Sequence, residues 1–89
     1  MLQRQITIIN KLGLHARAAA KLVNTASGFA SEVLIGRNGQ QVNGKSIMGV
    51  MMLAAGCGTE IDLQIRGEDE QAALDALVEL IEDRFGEGE

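Results

Sequence analysis

From Thr59 to Arg66 the chain alternates without a break. Thr59, Ile61, Leu63 and Ile65 fall on one side of an extended backbone, and Glu60, Asp62, Gln64 and Arg66 on the other. A period of two sustained this long is a strand with one buried and one wet face, the pattern of an antiparallel sheet covered on one side only. Such a sheet needs a layer to cover it, and two helical stripes are available. Apolar positions 16, 19, 20, 23 and 26 paint one face of a helix over Ala16–Ser27. Ala73, Leu74, Leu77, Val78, Ile81 and Phe85 paint another after Gly67-Glu68-Asp69-Glu70, whose acids suit the positive end of that helix. Two layers, helices over one face of the sheet, bury all three stripes.

The remaining segments fill in the order. Leu2–Ile9 reads as the first strand and residues 10–14 as a loop. Gly28 stands where a helix C′ glycine would, and Ala30–Ile35 reads as the second strand. Asn38-Gly39 predicts a type I′ hairpin into a short polar edge strand, Gln40–Val42. After the turn Asn43-Gly44-Lys45, Ser46 is placed to N-cap a short helix from Ile47 to about Leu53. Gly56-Cys57-Gly58 interrupts the chain, and Gly86-Glu87-Gly88-Glu89 is expected to fray. The result is one α+β domain spanning residues 1–89, β-α-β-β-α-β-α.

Composition removes several classes of function. A net charge of −4, with Phe29 and Phe85 the only aromatics, lacks both the basic footprint and the stacking platforms of nucleic-acid binders. Gly36-Arg37-Asn38-Gly39 matches a bare G-x-x-G clamp, but it lies in a hairpin of an acidic chain, so an RNA-binding reading is set aside. Cys57 is alone and is read as a small turn residue, with no internal disulfide and no oxidising compartment implied. One histidine and one cysteine do not make a Cys/His zinc cluster, so no metal and no cofactor are expected. No apolar run approaches about 18 residues and no signal-peptide core is present, so a cytoplasmic chain without membrane insertion is expected.

The lone histidine, His15, follows a glycine and opens the alanine-rich helix. Imidazole is the one side chain that is a neutral nucleophile near neutral pH. Attack on phosphorus there would place new negative charge against the free amides of Ala16 and Arg17, with Ala18 next in line. The Arg17 guanidinium can fold back onto the phosphate oxygens as a bidentate clamp. Ser46 is a candidate phosphorylation site as well as a helix cap. Ile47, Met48, Met51 and Met52 cannot all be buried on so short a helix, and an exposed Met/Ile surface is a candidate docking patch.

Gly13-Leu14-His15-Ala16-Arg17-Ala18-Ala19 resembles the active-site signature of the HPr family, the histidine phosphocarriers of the bacterial phosphotransferase system. Lys45-Ser46-Ile47-Met48-Gly49-Val50-Met51 resembles that family's regulatory serine segment, and the likeness runs across nearly the whole chain. The resemblance implies an open-faced β-sandwich, a four-stranded antiparallel sheet in order 1-4-2-3 under three helices. It implies that enzyme I, charged by phosphoenolpyruvate, phosphorylates His15 on Nδ1, and that the group passes on to an enzyme IIA domain. Arg17 then stabilises the phosphate, and Ser46 is the target of HPr kinase/phosphorylase. A monomer is the simplest expectation. The family usually has proline where Ala18 stands, and Asn10-Lys11-Leu12-Gly13 is similar to the family's nitrogen-regulatory branch. Two alternatives therefore stand beside the carrier. One is a regulatory binding module whose phosphorylation state controls docking. The other is a ligand-sensing domain without phosphate chemistry.

Overall fold

The alternating segment occupies the interior of the sheet. In the computed structural model, which describes residues 1–89, β4 (Glu60–Arg66) lies between β1 (Leu2–Thr7) and β2 (Glu32–Arg37), with β3 (Gln40–Asn43) on the outer edge. Every pairing is antiparallel and the order is β1-β4-β2-β3. The register sets Ile6 opposite Ile61, Val33 opposite Ile65 and Ile35 opposite Leu63, so the apolar side chains share one face. All six are buried.

Three helices cover that face: α1 (Ala16–Ser27), α2 (Ile47–Met52) and α3 (Glu70–Glu82). Helix α1 buries Ala18, Ala19, Leu22, Val23 and Ala26. The stripe is turned from the predicted one because Leu22, its bulkiest apolar side chain, takes the centre, and Ala16 in the first turn stays exposed. The short α2 is held from below by Val50 alone, while Arg37 caps its far end by donating from one guanidinium nitrogen to the carbonyls of Leu53 (2.7 Å) and Ala54 (3.0 Å). No helix is long and apolar enough to cross a membrane.

Several boundaries differ from the sequence expectation. β1 ends at Thr7, although Ile8 still exchanges backbone hydrogen bonds with the stretch before β4 (Ile8 N to Thr59 O, 2.8 Å; Gly58 N to Ile8 O, 2.7 Å). β2 begins two residues late, at Glu32, because the amides of Ala30 (2.8 Å) and Ser31 (3.0 Å) are taken by the Asp69 carboxylate. It then runs to Arg37, directly into Asn38 (φ 51°) and Gly39 (φ 80°), the paired positive φ values of a type I′ turn. β3 reaches Asn43, and β4 starts at Glu60 rather than Thr59. Gly28 ends α1 in right-handed geometry (φ −74°), so no left-handed C′ glycine is used. Phe85 is buried as expected but lies beyond α3, in a short 3₁₀ turn, Arg84–Gly86.

The largest correction concerns the chain's end. Arg84 and Phe85 both have φ near 54°, and Gly86 continues at 75°. This left-handed run turns the tail back towards the start of α1. Lys21 Nζ donates to the Phe85 carbonyl (2.6 Å), and the Lys11 amide donates to the Glu89 carbonyl (2.7 Å). The predicted fraying overlooked Phe85, an apolar anchor immediately before the glycines.

Candidate functional site

The loop between β1 and α1 is shaped by Gly13. Its φ is +67°, and a Cβ on it would fall 2.6 Å from both the Ala55 carbonyl oxygen and the Gly56 Cα. Only glycine allows that approach, which lets the Leu14 amide donate to the same Ala55 carbonyl at 2.8 Å. Leu14 is buried, so the next residue, His15, is fixed at the mouth of α1.

His15 is the N-cap of α1, with extended backbone (φ −70°, ψ 176°) and no side-chain bond to the helix. The first intrahelical hydrogen bond runs from Ala19 N to His15 O (2.8 Å). The amides of Ala16, Arg17 and Ala18 therefore lie in the first turn without helix carbonyls to receive them, as at any helix start. Ala18 is fully buried and the helix starts unbroken at Ala16, so the missing proline leaves its entry intact and adds an N–H there.

The tail completes the site. The imidazole Nε2 is hydrogen-bonded to one Glu87 carboxylate oxygen. The other carboxylate oxygen accepts from Asn10 Nδ2 at 2.9 Å. Asn10 is fully buried, and its Nδ2 also donates to the Gly13 carbonyl at 2.8 Å. One amide group thus ties the loop, the tail and the ring together. Glu87 is held below the usual carboxylate range, first by the Asn10 amide, then by the hydrogen bond and charge of His15. In the neutral imidazole the carboxylate acceptor requires the proton on Nε2, which leaves the Nδ1 lone pair free.

A cavity of about 330 Å³ opens beside the ring, lined by Lys11, Leu12, Arg17, Glu87 and Glu89 along with His15. Arg17 and Ala16 are exposed. Arg17 therefore lines the same cavity as the ring. Asn10 and Glu87 escaped the sequence reading. Asn10 looked like an ordinary loop residue, and Glu87, between two glycines, looked solvated.

Ser46 caps α2 as predicted, its hydroxyl accepting from the Gly49 amide at 3.1 Å. Ile47 (42 % exposed), Met48 (76 %), Met51 (43 %) and Met52 (66 %) all face outward, and Leu12 (66 %) is exposed on the site loop. Helix α2 packs beside α1, so this apolar surface neighbours the element that carries His15. Cys57 is exposed in its turn, with its sulfur 3.8 Å from the Ile9 carbonyl oxygen, and takes no part in the His15 network.

Comparison with known proteins agrees with this architecture. A family model for the PTS HPr component phosphorylation site matches residues 2–83. The chain is 65% identical to the phosphocarrier protein HPr of Cupriavidus necator over 89 residues, covering all of both chains. It is 63% identical to the Pseudomonas aeruginosa protein of the same name over 86 residues, 96% of each. The crystal structure of an HPr from Thermoanaerobacter tengcongensis superposes with a TM-score of 0.95 at 48% identity, covering 98% of both chains. The fold, the sheet order and these relatives agree: the chain belongs to the HPr family, the phosphocarriers of the bacterial phosphotransferase system.

Proposed function

We propose that this chain carries a phosphoryl group on Nδ1 of His15, accepting it from enzyme I charged by phosphoenolpyruvate and passing it to an enzyme IIA domain in the cytoplasm. The observation that carries the reading is the state of the ring. Nε2 is engaged by Glu87 while Nδ1 is free, on an N-cap whose neighbouring amides await an acceptor. An incoming phosphoryl group meets the Ala16 and Arg17 amides and the positive end of the α1 dipole. The Arg17 guanidinium serves both the loose transition state and the product. The chain has a covalent acceptor but no base or leaving-group acid of its own, so the donor and acceptor proteins supply the rest. The exposed surface of Ile47, Met48 and Met51 beside α1 supports a shared docking face, met by each partner in turn.

Ser46 is the proposed regulatory site, modified by HPr kinase/phosphorylase. A phosphate there would add about −1.5 to −2 charges at the edge of the docking face. Incubation with enzyme I and phosphoenolpyruvate tests the central claim. One acid-labile, alkali-stable phosphate should form per chain, and His15→Ala should abolish it; label surviving in that variant would overturn the assignment.

A further inference from the structure

We infer that the C-terminal strap, residues 84–89, is part of the phosphoryl-transfer machinery, with Glu87 a positioning residue that directs reaction to Nδ1. The inference deepens the carrier reading and rests on it for its physiological meaning. Its chemistry is independent of any partner.

Three observations converge. First, the strap is held at separate points: Phe85 is fully buried, its carbonyl accepts from Lys21 Nζ at 2.6 Å, and the Glu89 carbonyl accepts from the Lys11 amide at 2.7 Å. Second, the turn is made by non-glycine residues in left-handed conformation, Arg84 and Phe85, both at φ 54°. Such conformations are costly and persist only where the surroundings enforce them. Third, the strap delivers one functional group to the site. The Glu87 side chain is only 14% exposed, and its two oxygens are divided between Asn10 and His15.

A carboxylate on Nε2 does three things. It selects the tautomer with the proton on Nε2, so that Nδ1 presents the lone pair. It shields Nε2 from electrophiles. It also stabilises the cation produced when Nδ1 attacks, as a buried carboxylate does for a catalytic histidine elsewhere. The step balances simply. The Nδ1 lone pair forms the new N–P bond while the donor's bond to phosphorus breaks and its electron pair leaves with the donor. With phosphoramidate as donor, the P–N bond breaks and ammonia departs. The ring keeps its Nε2 proton throughout and becomes a phosphoimidazolium paired with Glu87.

The test compares wild type, Glu87→Ala and Glu87→Gln in two experiments without enzyme I and one with it. ¹⁵N NMR of the imidazole should show the Nε2–H tautomer in the wild type, with the Nδ1–H share rising in Glu87→Ala. Glu87→Gln, which keeps an oxygen acceptor without the charge, should restore most of the balance. Potassium phosphoramidate should label Nδ1 alone in the wild type and both nitrogens in Glu87→Ala. With enzyme I, Glu87→Ala should be phosphorylated roughly tenfold more slowly, a partly solvated carboxylate having less effect than a buried one. Wild-type tautomer balance and Nδ1-only labelling in Glu87→Ala would overturn the inference. If the NMR and phosphoramidate results hold but enzyme I leaves wild-type His15 unlabelled, the carrier reading fails and the role of Glu87 stands.

Discussion

Replacing Gly13 by alanine separates two contributions that hold the His15 loop in place. The first is conformational. At φ +67° an alanine pays the left-handed penalty of about 1–2 kcal/mol. The second is steric. The new Cβ would sit 2.6 Å from the Ala55 oxygen and the Gly56 Cα, both backbone atoms that cannot rotate away. One of the two loops must shift, at the roughly 1–3 kcal/mol typical of overpacking. The sum, about 2–5 kcal/mol, compares with a total stability of about 4–13 kcal/mol for a chain of this length. At roughly 5 °C per kcal/mol for a small domain, the melting temperature should fall by about 10–25 °C. Gly39→Ala is the control. Its φ is +80°, and nothing lies within 4 Å of an added Cβ, so only the conformational penalty applies. That variant should lose about 5–10 °C. Thermal unfolding of both, followed by circular dichroism, gives the comparison. Equal losses at the two sites would refute the close approach of the loops and, with it, the account of how His15 is fixed.

Three further outcomes are expected. Arg17→Ala should leave the melting temperature within about 2 °C, because the side chain is exposed and helix surfaces tolerate alanine. Its phosphorylation by enzyme I should slow by roughly ten- to hundredfold, the effect of losing a charge-assisted hydrogen bond of about 1.5–3 kcal/mol. Ser46→Asp should slow the same reaction at low ionic strength, and the deficit should shrink as salt is raised; a deficit indifferent to salt would exclude an electrostatic switch. Asp69 should shape the acid limb of stability. Its carboxyl is held below its ordinary 3.8, first by the Ser31 hydroxyl and then by the Ala30 amide. The unfolded chain therefore binds the proton more readily, so this stabilisation is complete above pH 3.8 and is lost as pH falls through the lower folded value. Urea unfolding at pH 7 and pH 3 should show a smaller acid-induced loss in Asp69→Ala than in the wild type.

Local pattern made most of the scaffold legible. The alternation of β4 specified both its neighbours' chemistry and the need for a covering layer, and Asn38-Gly39 located the hairpin to the residue. Ser46 was readable because its capping bond reaches only to Gly49. What escaped was side-chain bonding across long stretches of chain. Asp69 looked like a charge at the positive end of α3, yet its oxygens bind the Ala30 and Ser31 amides and the Ser31 hydroxyl, trimming the start of β2. The Asn10–Glu87–His15 network is the same kind of feature, linking a loop near the chain's start to its tail. Nothing in the periodicity of either segment encodes it. The sheet order came from family resemblance; the number of strands and their alternation do not distinguish 1-4-2-3 from its rivals.

A carrier differs from an enzyme in what its site must achieve. Tight binding of the phosphoryl group would trap it, since a deeper well lowers the forward transfer as much as it raises the uptake. The useful interactions are those that are stronger in the transition state than in either resting form. On the proposed reading the α1 amides and Arg17 meet the phosphate in both the transition state and the product, so they favour holding. A carboxylate on Nε2 acts on the ring instead. During uptake it stabilises the cation that forms as Nδ1 attacks. During release it keeps the proton on Nε2, so the ring departs as neutral imidazole rather than as imidazolate, a far poorer leaving group. The cation it pairs with is the phosphorylated resting form itself, so this hydrogen bond speeds uptake and also deepens the well, while keeping the leaving ring neutral. Glu87→Ala should therefore slow uptake from enzyme I more than delivery to an enzyme IIA domain, shifting the equilibrium away from the phosphorylated carrier. Arg17→Ala should shift that equilibrium in the same direction. Rapid-quench measurement of both half-reactions gives each rate and their ratio, and an unchanged equilibrium in Glu87→Ala would show that the carboxylate does not pair with the phosphorylated ring.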